Sequence, residues 1–225
     1  MVVSQTGVIG FIHRTYAWMT AGLLVTSIIA YMISASQVLS AFFLGNPIVF
    51  YGAIVLELAV VFYFSFRVQK MSSASAGIIF IVYSLLNGIT FALLFLLYTA
   101  SSIALTFIVT AGVFGLMSLY GYLTKRDLTT AGNIALMALI GIIVASVVNF
   151  FLNSIAIYWI TTYAGVLIFV VLIARDTQKL RKLYTLGEST LGGERKEAIV
   201  GALTLYLDFI NLFIDLLRIF GRRRS

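Results

Sequence analysis

Near the C-terminus the segment Gly201–Arg218 reads GALTLYLDFINLFIDLLR, apolar enough to enter a bilayer yet carrying two aspartates. Thr204, Asp208, Asn211, Asp215 and Arg218 follow one another at spacings of four, three, four and three. On a helix these five residues share one stripe, with Asp208 and Asp215 about 20° apart around the axis. Ionisable groups at membrane depth are costly, and they face a bundle interior or a water-filled cavity. This helix is therefore expected at the centre of a bundle.

Few other ionisable residues lie in apolar surroundings. Glu57 stands nine residues into the run that begins at Ile48, about 13 Å from its start. Arg67 closes that run, and Asp176 lies in Ala-Arg-Asp-Thr-Gln-Lys-Leu at 174–180. Three of the charges have a plain structural reading. Arg67 is placed to snorkel at the end of a span, Asp215 has Arg218 three residues on, and Asp176 has Arg175 and Lys179 beside it. Glu57 and Asp208 have no local partner, which strengthens a functional reading. Two carboxylates sharing a membrane site cannot both ionise freely, so such a pair senses or carries protons. When ionised it binds a hard cation such as calcium through oxygen. Two aspartates also activate water in aspartic proteases. That use is disfavoured, because intramembrane aspartyl proteases resemble Tyr-Asp on one helix and Gly-x-Gly-Asp on another. Here Asp176 follows Arg175, and Asp208 sits in Leu-Tyr-Leu-Asp.

Of the 225 residues, 61% are hydrophobic and 10% charged, against about 25% charged in a soluble domain. With a mean hydropathy of +1.07, the chain reads as an all-α polytopic membrane protein, a single integral domain without an appended soluble module. The net charge of +7 lies between apolar runs rather than along one amphipathic face, so it speaks for membrane orientation and not for nucleic acid. There is no cysteine, and His13 is the one histidine. Thiolate chemistry and histidine-based zinc sites are thereby excluded. A serine–histidine intramembrane protease would need its base at membrane depth, whereas His13 precedes the first span. No P-loop, dinucleotide-binding glycine pattern or HExxH occurs. No cofactor, no firm metal site and no enzyme activity are expected.

Seven spans must position these groups: about 15–35, 48–66, 77–98, 103–123, 134–152, 157–175 and 198–220. The first is too long for a usual signal core and is read as retained. Pro47 stands at the start of the second, where a missing N–H costs least. The runs 77–123 and 134–174 are double-length, with turns at Thr99–Ser102 and at Asn153-Ser154. Gly187 and Gly192-Gly193 punctuate the polar stretch before the last span. Arg14, Arg67, Lys70, Lys125, Arg126 and six basic residues between 175 and 196 lie in the lead and the even-numbered loops, while the odd-numbered loops have none. This asymmetry predicts a cytosolic N-terminus. Seven crossings then place Arg222-Arg223-Arg224 outside against the same rule, so the last span either crosses fully, the preferred reading, or re-enters. Gly112, Gly115 and Ser118, and Gly141 with Ala145, are expected to permit close helix packing.

The segments at 174–180, Gly-Ala-Leu-Thr-Leu-Tyr-Leu-Asp-Phe-Ile-Asn-Leu-Phe at 201–213 and Leu-Leu-Arg at 216–218 closely resemble the Bax-inhibitor (transmembrane Bax-inhibitor-motif) family. The specific motifs cover the last quarter of the chain, while size, span count and short lead agree throughout. The resemblance implies a seven-helix fold with the last helix central and a proton-sensitive leak for cations, chiefly calcium. It implies that Asp176 and Asp208 form the pH sensor and that Arg67 latches that pair in the closed pore. Glu57, Asn211 and Asp215 are candidates for the cation pathway, although Asp215 departs from the family's pattern. A competing expectation is a non-transporting regulator that binds a membrane-bound ATP-dependent protease or another membrane partner. The expected location is a bacterial cytoplasmic membrane, with lipid, calcium and protons as partners.

Overall fold

The computed structural model describes residues 5–185 and 193–224. Gly187 and Gly192 lie outside the described residues. The helices are α1 (Gln5–Ala35), the short α2 (Gln37–Phe43), α3 (Pro47–Arg67), α4 (Ser73–Leu97), α5 (Ala100–Leu123), α6 (Thr129–Leu152), α7 (Ile155–Thr185) and α8 (Glu194–Phe220), with one 3-10 turn at Val68–Lys70. Among the described residues, seven helices (all but α2) are long and apolar enough to cross a membrane. The span of α8 is 72% buried, against 6–33% for the other six.

Helix boundaries follow local chemistry. Asn46 caps α3, its Oδ1 accepting from the N–H groups of Ile48 and Val49 at 3.1 and 3.5 Å, and Pro47 occupies the first turn. Asn153 ends α6 in the left-handed conformation (φ 50°) that asparagine tolerates, and the Asn149 side chain accepts from Ser154 N at 2.8 Å. Several boundaries differ from expectation, among them the starts of α4 at Ser73 rather than 77 and of α6 at Thr129 rather than 134. Helix α1 begins at Gln5 rather than 15, because Val8, Ile9 and Phe11 extend its apolar pattern. Helix α7 continues ten residues past Arg175, and α8 starts at Glu194 rather than 198. Charged residues can prolong a helix beyond the apolar run that hydropathy detects.

Contacts divide the chain into two compact units. The first comprises Met1–Ala100, Leu183–Tyr206 and Arg223–Ser225. Here α1 and α3 pack on α4, and glycines set the α1–α4 approach. A Cβ at Gly22 would stand 2.6 Å from the Phe80 ring, and one at Gly88 would stand 2.6 Å from Ile29. Lys196 Nζ donates to the carbonyls of Gln69 and Met71 at 3.0 and 3.1 Å, beside the start of α4. At the other end of α4, Arg224 N–H donates to Leu97 O at 2.9 Å and Arg223 bridges Tyr98. The first turn of α8 and the residues that follow the helix thus meet opposite ends of α4. The 27 residues of α8 reach about 40 Å, more than the ~30 Å hydrocarbon core, so α8 is long enough for the full crossing that the sequence favours.

The second unit comprises Ser101–Lys182 and Leu207–Arg222. The buried stripe of α5 is Thr106, Thr110, Phe114, Ser118 and Gly121, and a Cβ at Gly121 would overlap the Ala174 carbonyl. Phe107 and Phe114 meet Phe209 of α8 at ring separations of 5.3 and 5.5 Å. The expected packing role of Gly112, Gly115 and Gly141 is corrected: a Cβ on any of them meets no atom within 4 Å. Steps of three drift about 60° around a helix each time, which carries Gly112 and Gly115 off the stripe that holds Ser118.

Candidate functional site

Asp176 belongs to a continuous buried turn of α7. Leu172, Ile173, Ala174, Thr177 and Gln178 are buried with it. Because α7 extends to Thr185, Asp176 stands nine residues before its end, about 14 Å inside. Asp208 lies fourteen residues into α8, about 21 Å from its start. The longer helices roughly halve the difference in depth, from the ~15 Å that the shorter expected spans imply to about 7 Å. Within the second unit the two carboxyl groups lie close enough to influence each other. Asp176 is 6% exposed and Asp208 5%.

The surroundings of the pair are asymmetric. Arg175 Nη1 donates to Asp176 Oδ1 at 2.5 Å, and both side chains are largely buried. Asp208 Oδ2 is buried with no hydrogen-bond partner among the described residues. An oxygen-to-oxygen contact between carboxyl groups is a hydrogen bond only when one of them carries a proton. Gly132, near the start of α6, leaves space for the Arg175 stem, which an added Cβ would overlap.

The same turn of α7 is tied to the α5–α6 connection. Gln178 Nε2 donates to Arg126 O at 2.7 Å, and its Oε1 accepts from Leu128 N at 3.0 Å. Arg181 donates to Tyr122 O. Lys182 Nζ donates to Asp127 Oδ1 at 2.8 Å. That bond, with those from Thr129, holds the exposed Asp127 carboxyl at about 2. Thr177 Oγ1 donates to Ser118 Oγ at 3.4 Å. The motif at 174–180 thus anchors a helix as well as presenting an aspartate.

The remaining candidates are dispersed. Arg67 is exposed at the end of α3 in the first unit. Glu57, also in the first unit, is half-buried, and its Oε2 accepts from Thr90 Oγ1 at 3.2 Å. Asn211 in the second unit donates through Nδ2 to Leu207 O at 2.8 Å. Asp215 Oδ1 accepts from Arg218 Nη1 at 3.1 Å.

Sequence reasoning passed over a buried polar cluster in the first unit. Thr26 Oγ1 donates to Ser84 O at 2.9 Å and stands 2.7 Å from Tyr206 OH. With its one hydroxyl hydrogen so used, Thr26 accepts from the tyrosine. Asn87 Nδ2 donates to Tyr83 O at 3.1 Å, while its Oδ1 is buried without a partner among the described residues. The available signal was Ser84, Asn87 and Thr90, spaced by three in an otherwise apolar run.

Comparison with known proteins places this architecture. A family model described as inhibitor of apoptosis-promoting Bax1 matches residues 8–225. The inner membrane protein YbhL of Escherichia coli (strain K12) is 48% identical over 225 residues, which is 100% of this chain and 96% of that protein. A protein of Borreliella burgdorferi is 39% identical over 215 residues, covering 96% of this chain and 93% of its own. A membrane protein of Streptococcus pyogenes serotype M1 is 36% identical over 221 residues, covering 97% and 95%. Seven apolar helices, the motif pair at 174–180 and 201–218, and a match over nearly the whole length agree: this chain is an integral, multi-pass membrane protein of the Bax-inhibitor family.

Proposed function

We propose that the protein is a pH-sensitive, calcium-permeable leak of a bacterial cytoplasmic membrane, with its N-terminus in the cytosol and Asp176 and Asp208 as its proton sensor. The observation that carries this reading is the pairing of two buried carboxyl groups, one of which keeps an oxygen without a hydrogen-bond partner among the described residues. Such a pair changes charge and geometry together when it gains or loses a proton. In the closed state the ionised pair holds Arg67 and α8 plugs the pore; protonation releases the latch. Glu57, Asn211 and Asp215 offer the oxygen donors that a hard cation requires along its path.

The reading carries no catalytic step. A contacting acid pair also occurs in aspartic proteases, where water sits between the carboxyls. Here Asp208 Oδ2 is sealed from solvent, which disfavours hydrolysis. The competing reading, a non-transporting regulator of a membrane partner, draws on the exposed basic residue Arg195 at the start of α8. Calcium entry into dye-loaded liposomes separates the two. We expect purified protein to pass calcium increasingly as pH falls, and Asp208→Asn to flatten that dependence. Protein that passes no calcium at any pH would favour the regulator.

A further inference from the structure

A second buried carboxylate in the second unit lies apart from the sensor pair. Asp215 is 7% exposed, and its Oδ2 rests where Gly165 has no side chain, since a Cβ on that glycine would overlap it. Oδ1 accepts from Arg218, whose side chain is 40% exposed and whose guanidinium lies 5.6 Å from the centre of the Tyr158 ring. Asp215 and Arg218 line a cavity of about 560 Å³ that also reaches Asn211. Asn211 has turned its Nδ2 to a backbone carbonyl, which leaves its Oδ1 as an acceptor. The cavity wall is apolar: Ile143, Val147, Phe150 and Phe151 of α6, with Phe169 of α7.

Depth and exposure identify the kind of occupant. Arg218 is two residues from the end of α8 and Tyr158 three from the start of α7. The ion pair is therefore within about one and a half turns of the helix ends, at headgroup level rather than mid-bilayer. The α6 wall faces outward, with Ile143, Val147, Phe150 and Phe151 between 55 and 76% exposed, so hydrocarbon chains have direct access. The polar end presents carboxylate and amide acceptors beside a guanidinium that has donors left over after one bond to Asp215. That arrangement complements a headgroup carrying an N–H-bearing ammonium next to a phosphate. A purely anionic headgroup would meet Asp215, and a quaternary ammonium would bring no donor to it.

We infer that this cavity is a binding site for an ethanolamine phospholipid, with the ammonium on Asp215 and Asn211, the phosphate on Arg218, and the acyl chains along α6. The site shares Asn211 and Asp215 with the proposed cation path, but its test reads lipid binding and not flux, so failure of one reading is distinguishable from failure of the other. It is tested by native mass spectrometry of the delipidated full-length protein titrated with phosphatidylethanolamine, phosphatidylcholine or phosphatidylglycerol of identical chains. Phosphatidylethanolamine is expected to bind at least about tenfold more tightly than either competitor. Asp215→Asn should abolish that preference. Val147→Trp, which fills the cavity at an exposed position without touching the ion pair, should remove tight binding of all three lipids. Equal affinity for the three lipids, a preference for phosphatidylglycerol, or an unchanged preference in Asp215→Asn would overturn the assignment.

Discussion

Asp208 Oδ2 has no hydrogen-bond partner among the described residues, and its carboxyl group lies beside a second acid. Within its own unit the pair has Arg175, bonded to Asp176, and Lys179 nearby, whereas Arg67 lies in the other unit. The two arginines can be told apart. Removing a positive charge beside a carboxyl pair favours its proton-bearing form, so Arg175→Gln should move the pH midpoint of calcium flux upward while leaving the channel closable. Losing a latch instead releases the closed state, so Arg67→Gln should raise flux at neutral pH and flatten the profile. Identical flux profiles for the two variants and wild-type protein would remove both roles. Asp127 does not enter this account. Its carboxyl is held at about 2 by Lys182 and Thr129. Whatever its lowered value adds to stability is present above the ordinary aspartate range and is lost only as pH falls toward 2. Its exposed ion pair with Lys182 therefore persists through mild acidification.

At the scale of elements, α7 shows both the reach and the limit of sequence reading. Asp176 was legible as a charge in an apolar neighbourhood, and Asp208 as a member of a four-three stripe, because both signals are local. The end of α7 was not legible, since Lys179, Arg181 and Lys182 lower hydropathy where the helix continues. Gln178 was equally hidden: its value lies in bonding the backbone at Arg126 and Leu128, about fifty positions away in sequence. Gly121 is the close-approach residue that small-residue spacing failed to find. An added methyl there meets the backbone of Ala174, which cannot rotate aside. Gly121→Ala should therefore destabilise the protein by about 1–3 kcal/mol, measurable as a lower melting temperature in detergent, whereas Gly112→Ala should be nearly silent. Helix α8 yields a topological prediction. Seven of the described helices, α8 among them, are long and apolar enough to cross, and seven full crossings would set the two chain termini in opposite compartments. A C-terminal alkaline phosphatase fusion should be active if the N-terminus is cytosolic, and inactivity would contradict the crossing.

At the scale of the molecule, composition and charge asymmetry led to a helical membrane protein, and the C-terminal motifs led to its family. Both conclusions rest on features spread over tens of residues. What stayed hidden depends on contacts between distant helices, such as the cluster of Thr26, Ser84 and Tyr206, whose members look unremarkable one at a time. The two units divide the candidate groups between them. The carboxyl pair and the Asp215–Arg218 pair lie in the second, and Glu57 and Arg67 lie in the first. Proton sensing by the carboxyl pair is the central claim, and one measurement addresses it most directly. Calcium flux into liposomes should be compared from neutral to mildly acidic pH for wild-type protein, Asp176→Asn and Asp208→Asn, each verified as folded. The account predicts a wild-type flux that rises as pH falls and a flat profile in both variants. A wild-type pH dependence retained unchanged in both would contradict it.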